Sequence, residues 1–153
     1  MDVNEEINIK KFVAACGYNN SIETVRDLLP VVNINCKHEN GWTALYTAML
    51  CNNLEIVRLL LTSQDIILNT TVDYATGLHA ACKNNNLGCV QLFLNHPGCT
   101  RDIVKLEDKN GNTAEMLARQ QGHLECAGIV HDYVLDVGGV MHRVDRVNSK
   151  YSP

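Results

Sequence analysis

The sequence shows neither the pattern of a membrane-spanning segment nor that of a secretory signal. No apolar run in its 153 residues approaches the roughly 20 residues that a spanning helix needs. The N-terminus carries Asp2, Glu5 and Glu6, where a secretory signal would carry basic and then apolar residues. We therefore expect no membrane partner, and a location in the cytoplasm or, alternatively, the nucleus.

An excess of basic residues is also missing. The chain has 13 lysines and arginines against 17 aspartates and glutamates, so its formal net charge is -4. A protein that binds nucleic acid through phosphates needs clustered Lys and Arg to displace counterions. We expect no nucleic-acid partner.

The sequence contains no phosphate-binding glycine loop, no H-E-x-x-H and no G-x-S-x-G. His79 and Cys82 lie three residues apart, a spacing that could place two metal ligands on one helix face. A metalloprotein or a Cys/His enzyme built on His79, Cys82 and Cys89 is therefore one alternative. The prediction that we favour has no catalytic residue, no cofactor and no metal.

A repeated unit is present instead. Residues 38–61, HENGWTALYTAMLCNNLEIVRLLL, combine a turn signal at Asn40-Gly41, an apolar segment, a break at Asn52-Asn53 and a second apolar segment. A shift of 33 residues superposes this unit on a second copy, since it places Thr43 on Thr76 and Leu45 on Leu78. A degenerate copy precedes the unit, and a last copy follows at a spacing of 37, with four extra residues before Thr113. A period of this size with two short helices per copy indicates a solenoid.

The tracts NGWTAL, TGLHAAC, NLEIVRLLL, DKNGNTAEMLA and GHLE resemble the ankyrin repeat. The resemblance implies an all-α solenoid, a stack of four helix-turn-helix units with β-hairpin finger loops. We expect non-catalytic binding of a protein partner through the concave face and the fingers, and we expect the protein to be a monomer. His79 falls on the histidine of the family's TPLH motif, whose implied role is structural hydrogen bonding.

The repeat register gives the predicted organisation. A leader or cap covers residues 1–9, the ankyrin repeat domain covers 10–134, and a flexible basic tail covers 135–153. The four repeats are predicted at 10–37, 38–70, 71–106 and 107–134. The same register places Cys89 and Cys126 one helix spacing apart, about 8–10 Å, which is too far for a disulfide, so we expect free thiols.

Two fingers depart from the pattern. Tyr74 stands where the turn glycine is expected, so the second finger must turn another way or carry backbone strain. The third finger, residues 95–108, holds the four-residue insertion. We expect it to tolerate change, because it supplies no repeated core position.

The candidate binding residues occupy the variable positions of the repeat. Trp42 is the most prominent, because a large rigid aromatic is typical of interface hot spots; alternatively, it fills space against Tyr46 or Tyr74. The mixed charges of the whole set favour a protein partner over a polyanion, and the function is that of an adaptor, scaffold or inhibitor. A second alternative is a regulatory fragment of a larger multidomain protein. The predicted set is Glu39, Asn40, Trp42, Leu50, Cys51, Asp73, Tyr74, Ala75, Lys83, Asn84, Lys109, Asn110, Asn112 and Gln120.

Overall fold

The computed structural model describes residues 2–135, and the predicted tail lies outside this range except for Leu135. None of the described helices is long and apolar enough to cross a bilayer. The helices in chain order are α1 (Val3–Cys16), α2 (Ile22–Leu28), α3 (Ala44–Leu50), α4 (Leu54–Leu61), α5 (Gly77–Lys83), α6 (Leu87–Asn95), α7 (Arg101–Val104), α8 (Ala114–Gln120) and α9 (Leu124–Leu135).

Threonines in repeat register begin the first helix of three repeats. The Thr43 hydroxyl accepts a hydrogen bond from the Tyr46 backbone N–H at 3.1 Å, and Thr113 accepts one from Met116 at 3.3 Å. Thr76 forms a capping box with His79. Each hydroxyl satisfies a backbone donor that a helix start leaves free, so these residues set where the helices begin.

The helices form two layers, as the all-α solenoid prediction requires. The first helices α1, α3, α5 and α8 stack on one another, and the second helices α2, α4, α6 and α9 form the other layer. Apolar side chains fill the space between the layers. The largest that are fully buried are Phe12, Leu45, Met49, Ile56, Leu60, Leu78, Phe93, Leu94 and Ile129.

The fingers are tighter than the predicted β-hairpins. Within residues 2–135 there is no β-strand, and two isolated bridges, Lys37 with Thr43 and Val72 with Ala75, stand in the first two fingers. In the first finger, the His38 N–H donates to the Trp42 carbonyl at 2.8 Å, and Gly41 has a φ of 83°. The third finger repeats this geometry around Gly111.

The turn of the second finger holds two residues between its hydrogen-bonded ends, whereas the turns of the first and third fingers hold three. Val72 and Ala75 exchange hydrogen bonds of 2.8 and 2.9 Å across Asp73 and Tyr74. Those two residues have φ values of 51° and 67°, as a two-residue type I′ turn requires. The second finger therefore turns differently from the first and third, and it also holds Tyr74 in a left-handed conformation. Both of the expected alternatives apply.

The predicted leader or cap is largely helical, because α1 begins at Val3 and includes residues 3–9. Glu5 and Glu6 lie in the first turn, where the helix dipole favours negative charge. Ile9 is buried and joins the core side of the helix. Helical periodicity did not predict this start. Val3 and Ile7, the apolar residues that precede Ile9, are exposed and so do not continue the buried face of the helix.

The structure contradicts the reason given for tolerance in residues 95–108, namely that this segment supplies no core position. This segment contains α7, which packs against α9, and its Cys99 and Val104 are each only 2% exposed. The Tyr133 hydroxyl donates a hydrogen bond of 2.9 Å to the Cys99 carbonyl. The insertion therefore supplies core side chains to the last repeat.

We predict that Val104→Ala destabilises the protein by about 2 kcal/mol, because truncating a buried side chain leaves a cavity. Val31→Ala is the matched control, since Val31 is 63% exposed and surface substitutions change stability by less than about 0.5 kcal/mol. Urea unfolding followed by circular dichroism measures both variants. Equal midpoints for the two variants would show that the insertion is dispensable.

Candidate protein-binding surface

We define the finger face as the three fingers (residues 38–43, 71–76 and 108–113) together with the adjoining exposed sides of α3, α5 and α8. None of the predicted binding residues is buried. Trp42, Leu50, Cys51, Ala75 and Asn112 are half-buried, whereas the other nine, Glu39, Asn40, Asp73, Tyr74, Lys83, Asn84, Lys109, Asn110 and Gln120, are exposed. Five of the predicted residues lie at the helix ends opposite the fingers: Leu50 and Cys51 on α3, Lys83 and Asn84 on α5, and Gln120 on α8.

Trp42 contacts Tyr46, one of the two tyrosines considered from the sequence. Their ring centroids are 5.7 Å apart with an interplanar angle of 57°, a favourable tilted arrangement. Trp42 directly precedes Thr43, the N-cap of α3, and Tyr46 lies four residues after Trp42. This spacing brings the two rings together. Both rings stay half-exposed, so the contact does not remove Trp42 from the surface.

A groove of about 300 Å³ runs along the finger face beside α5 and α8. It brings together five of the predicted residues, namely Ala75, Lys83, Asn110, Asn112 and Gln120. The sequence prediction missed six others, Tyr46, His79, Ala80, Asp108, Leu117 and Gln121. Tyr46 carried a usable signal, since it lies four residues after Trp42 and helical spacing places the two on one face.

Ion pairs join neighbouring repeats across this face, and a hydrogen bond joins two side chains of the last repeat. Lys109 lies 3.5 Å from the Asp73 carboxylate and so links the second and third fingers. Lys10 of α1 lies 3.7 Å from Glu39 of the first finger. The Gln120 amide donates to the Asn112 side chain at 3.0 Å. The side chains in the two ion pairs are exposed, so these pairs stabilise the stack only weakly.

Asp108 organises the third finger. Its carboxylate accepts hydrogen bonds of 2.9 Å from the backbone N–H groups of Asn110 and Asn112. Desolvation raises the pKa of this carboxyl, but the two N–H donors outweigh it and the pKa is lowered overall. The aspartate therefore stays ionised and holds the turn in shape.

His79 has the structural role that the family resemblance implies. Its Nδ1 accepts a hydrogen bond from the Thr76 backbone N–H at 3.0 Å, and Nε2 lies 3.1 Å from the Asn112 carbonyl of the next repeat. Nδ1 must be unprotonated to accept, so Nε2 carries the proton and donates it to Asn112. Burial lowers the pKa of His79 from its ordinary value of 6.5, which keeps the ring neutral.

The seven cysteines, all within residues 2–135, form no disulfide, and five of them are buried. Burial raises the pKa of Cys16 and of Cys89 to about 12, which leaves little reactive thiolate. Cys126 is in side-chain contact with Cys82, whereas the Cys89 thiol donates to Asn52 at 3.6 Å. Within residues 2–135 no three His, Cys, Asp or Glu side chains converge as metal ligands would.

The fold and this surface define a class, a helical repeat solenoid whose exposed face is built from turns of successive repeats. The sequence profile described as ankyrin repeats (three copies) matches residues 12–99 and 64–138, and the chain belongs to the ankyrin repeat family. Ankyrin repeats are generally protein-interaction modules and are typically non-enzymatic.

Two curated relatives match parts of the chain. Leucine-rich repeat serine/threonine-protein kinase 1 of Caenorhabditis elegans is 30% identical over 99 residues, which is 65% of this chain and 4% of the relative. SMC5-SMC6 complex localization factor protein 1 of Homo sapiens is 36% identical over 83 residues, 52% of this chain and 8% of the relative. The chain therefore matches only a small part of each of these much longer proteins.

We predict that the protein loses stability as the pH falls from about 7.5 to about 5.5, through the ordinary histidine pKa of 6.5. Below that value, unfolded His79 binds a proton, while the folded ring, whose pKa is lowered, resists protonation. The unfolded state then holds more protons, so unfolding becomes easier in acid. Urea midpoints across this range should fall more steeply for the wild type than for His79→Gln. Parallel curves would show that His79 does not contribute to the pH dependence.

Proposed function

We propose that this protein is a non-catalytic adaptor, scaffold or inhibitor that binds a protein partner through the finger face. The groove supports this, because it joins side chains of three successive repeats and is lined by amides, a lysine and a carboxylate. Such a lining suits the peptide groups and mixed charges of a protein surface. The family's general role in protein interaction also supports it.

Tyr74 is the observation that carries the proposal. The residue is 70% exposed and its φ is 67°. It therefore adds little buried area to the fold and has an unfavourable backbone conformation. A left-handed conformation costs a residue with a side chain roughly 1–2 kcal/mol. Strained residues concentrate at functional sites, and tyrosine is enriched in hot spots. A binding role for the exposed ring accounts for both features.

The alternative of a regulatory region within a larger protein is compatible with this role. The two relatives are a kinase and a complex localization factor, and the matched region is 4% and 8% of their lengths. In that arrangement, the partner of the finger face could be another domain of the same polypeptide. The binding surface and its tests are the same in both cases.

The partner can be captured by a photo-crosslinking residue in place of Asn110, which lines the groove. The same crosslinker in place of Glu55, exposed on α4 in the other layer, is the control. A protein captured only from position 110 is then purified and titrated against the variants below. Equal capture from both positions would contradict binding at the finger face.

We predict that Trp42→Ala lowers the free energy of unfolding by only about 1 kcal/mol, the contribution of an aromatic pair. It should weaken partner binding by about 2 kcal/mol, in the hot-spot range. Phe93→Ala is the stability control, because Phe93 is fully buried and its truncation should cost about 3–5 kcal/mol. A large stability loss in Trp42→Ala with unchanged affinity would identify Trp42 as packing filler.

We predict that Tyr74→Gly weakens partner binding by about 2 kcal/mol and yet raises stability by up to about 1 kcal/mol. The gain arises because glycine adopts positive φ freely, and it is reduced by glycine's greater unfolded-state entropy. Tyr18→Gly is the control, since Tyr18 is 83% exposed and follows the end of α1 away from the fingers. Isothermal titration calorimetry and thermal unfolding on both variants test the proposal, and unchanged affinity in Tyr74→Gly contradicts it.

A further inference from the structure

The groove of the finger face contains a positive charge that the described part of the chain leaves without a partner. Lys83 lines the groove, and within residues 2–135 its ammonium group takes part in no ion pair and no hydrogen bond. Asp108 also lines the groove, but its carboxylate accepts two backbone N–H groups of its own finger. A ligand in the groove would therefore meet the charge of Lys83 unneutralised.

The repeat register shows that the stack does not need this lysine. The equivalent positions at the ends of α3 and α8 are held by Leu50 and Gln120, which are uncharged. The last turn of α5 favours a cation through the helix dipole, so Lys83 is tolerated there without an ion partner. Its charge is thus compatible with the fold and is not required by it.

Two amide side chains lie at the same end of the groove. Gln120 is the last residue of α8, just as Lys83 is the last residue of α5, and Gln121 follows it. Both glutamines line the groove. The Gln120 amide donates to Asn112, whereas the Gln121 side chain has no hydrogen-bond partner within the described range. An ammonium group and an amide N–H are donors that a carboxylate accepts, and hydrogen bonds to ionised groups are the stronger kind.

The end of the groove beside the fingers has a different character. The Tyr46 hydroxyl and the Asn110 side chain line it, and both are uncharged. Asp108 is ionised at this end, so a second carboxylate is disfavoured there. The seven residues of α5 separate the two ends by about 10 Å, the length of about three residues of extended chain. Charge complementarity therefore gives a bound segment a preferred direction.

We propose that the partner lays an extended segment in this groove and presents an aspartate or glutamate side chain to Lys83. This inference rests on the proposed protein-binding function and specifies the chemistry of the partner. The carboxylate accepts hydrogen bonds from the Lys83 ammonium and the Gln121 amide. The neutral part of the segment lies toward Tyr46 and Asn110.

The test titrates full-length ¹⁵N-labelled protein with acetylated and amidated Gly-Ser peptides whose central residue is glutamate or glutamine. The blocked ends leave the central side chain as the only charge, and glutamine has the shape of glutamate without that charge. We expect saturable shifts of the Gln120 and Gln121 side-chain amide resonances with the glutamate peptide. The glutamine peptide should bind about fivefold more weakly, the upper range for an exposed ion pair.

Variants of two lysines locate the site. Lys83→Met removes the charge, keeps an unbranched side chain and should abolish the preference for glutamate over glutamine. Lys83→Arg keeps the charge and should retain the preference. Lys11→Met is the matched control, because Lys11 is exposed on α1, lies outside the groove and forms no ion pair with the described residues. Unchanged backbone amide spectra show that each variant is folded.

Three results would overturn the inference. The glutamate peptide could give no saturable shift, the two peptides could bind the wild type equally, or the preference could persist in Lys83→Met. Each of these leaves protein binding at the finger face intact, because capture of a partner from position 110 tests that function separately. A captured partner that binds wild type and Lys83→Met equally would likewise remove the acidic contact while supporting the proposed function.

Discussion

The solenoid depends on one hydrogen-bond arrangement that each repeat makes with the repeat before it. The Asn53 amide donates to the Cys16 and Gly17 carbonyls at 2.8 Å, and the Asn86 amide donates to Met49 at 2.9 Å. His123 holds the equivalent place, 3.2 Å from the Cys82 carbonyl. Each bond satisfies carbonyls that the end of a short helix leaves free. A helix of seven residues is marginal alone, so α3 and α5 are each completed by the repeat that follows them.

This dependence on neighbours explains how the finger face is built. His79 extends the same principle at the other end of the helix, because its ring joins the start of α5 to the Asn112 carbonyl of the next finger. The fingers are therefore positioned by the stack and need no sheet of their own. Ordered turns that make few contacts with one another leave their side chains available to a partner. The proposed binding function would use a scaffold that fixes the backbone of the fingers and leaves many of their side chains exposed.

Much of the fold could be predicted from the sequence, because its main determinants recur at a fixed spacing. The threonine caps and the asparagines at positive φ, such as Asn52 and Asn85, appear at the periods that the sequence shows. Features that occur once could not be found this way. The helix α7 has four residues, too few for helical periodicity to be visible. The repeat register predicts the residues of the candidate surface one by one. The groove depends on the distances between fingers and helices in space, and the spacing of residues along the sequence does not give those distances.

The second finger closes its turn differently from its neighbours, although residues 38–43, 71–76 and 108–113 are equally long. Its turn holds two residues between the bonded positions, where the first and third fingers hold three. Both of those residues have positive φ, and one of them is the exposed Tyr74. Because a tight turn restricts its own backbone, contact with another molecule would cost this side chain less conformational entropy than it would cost a side chain on a longer loop.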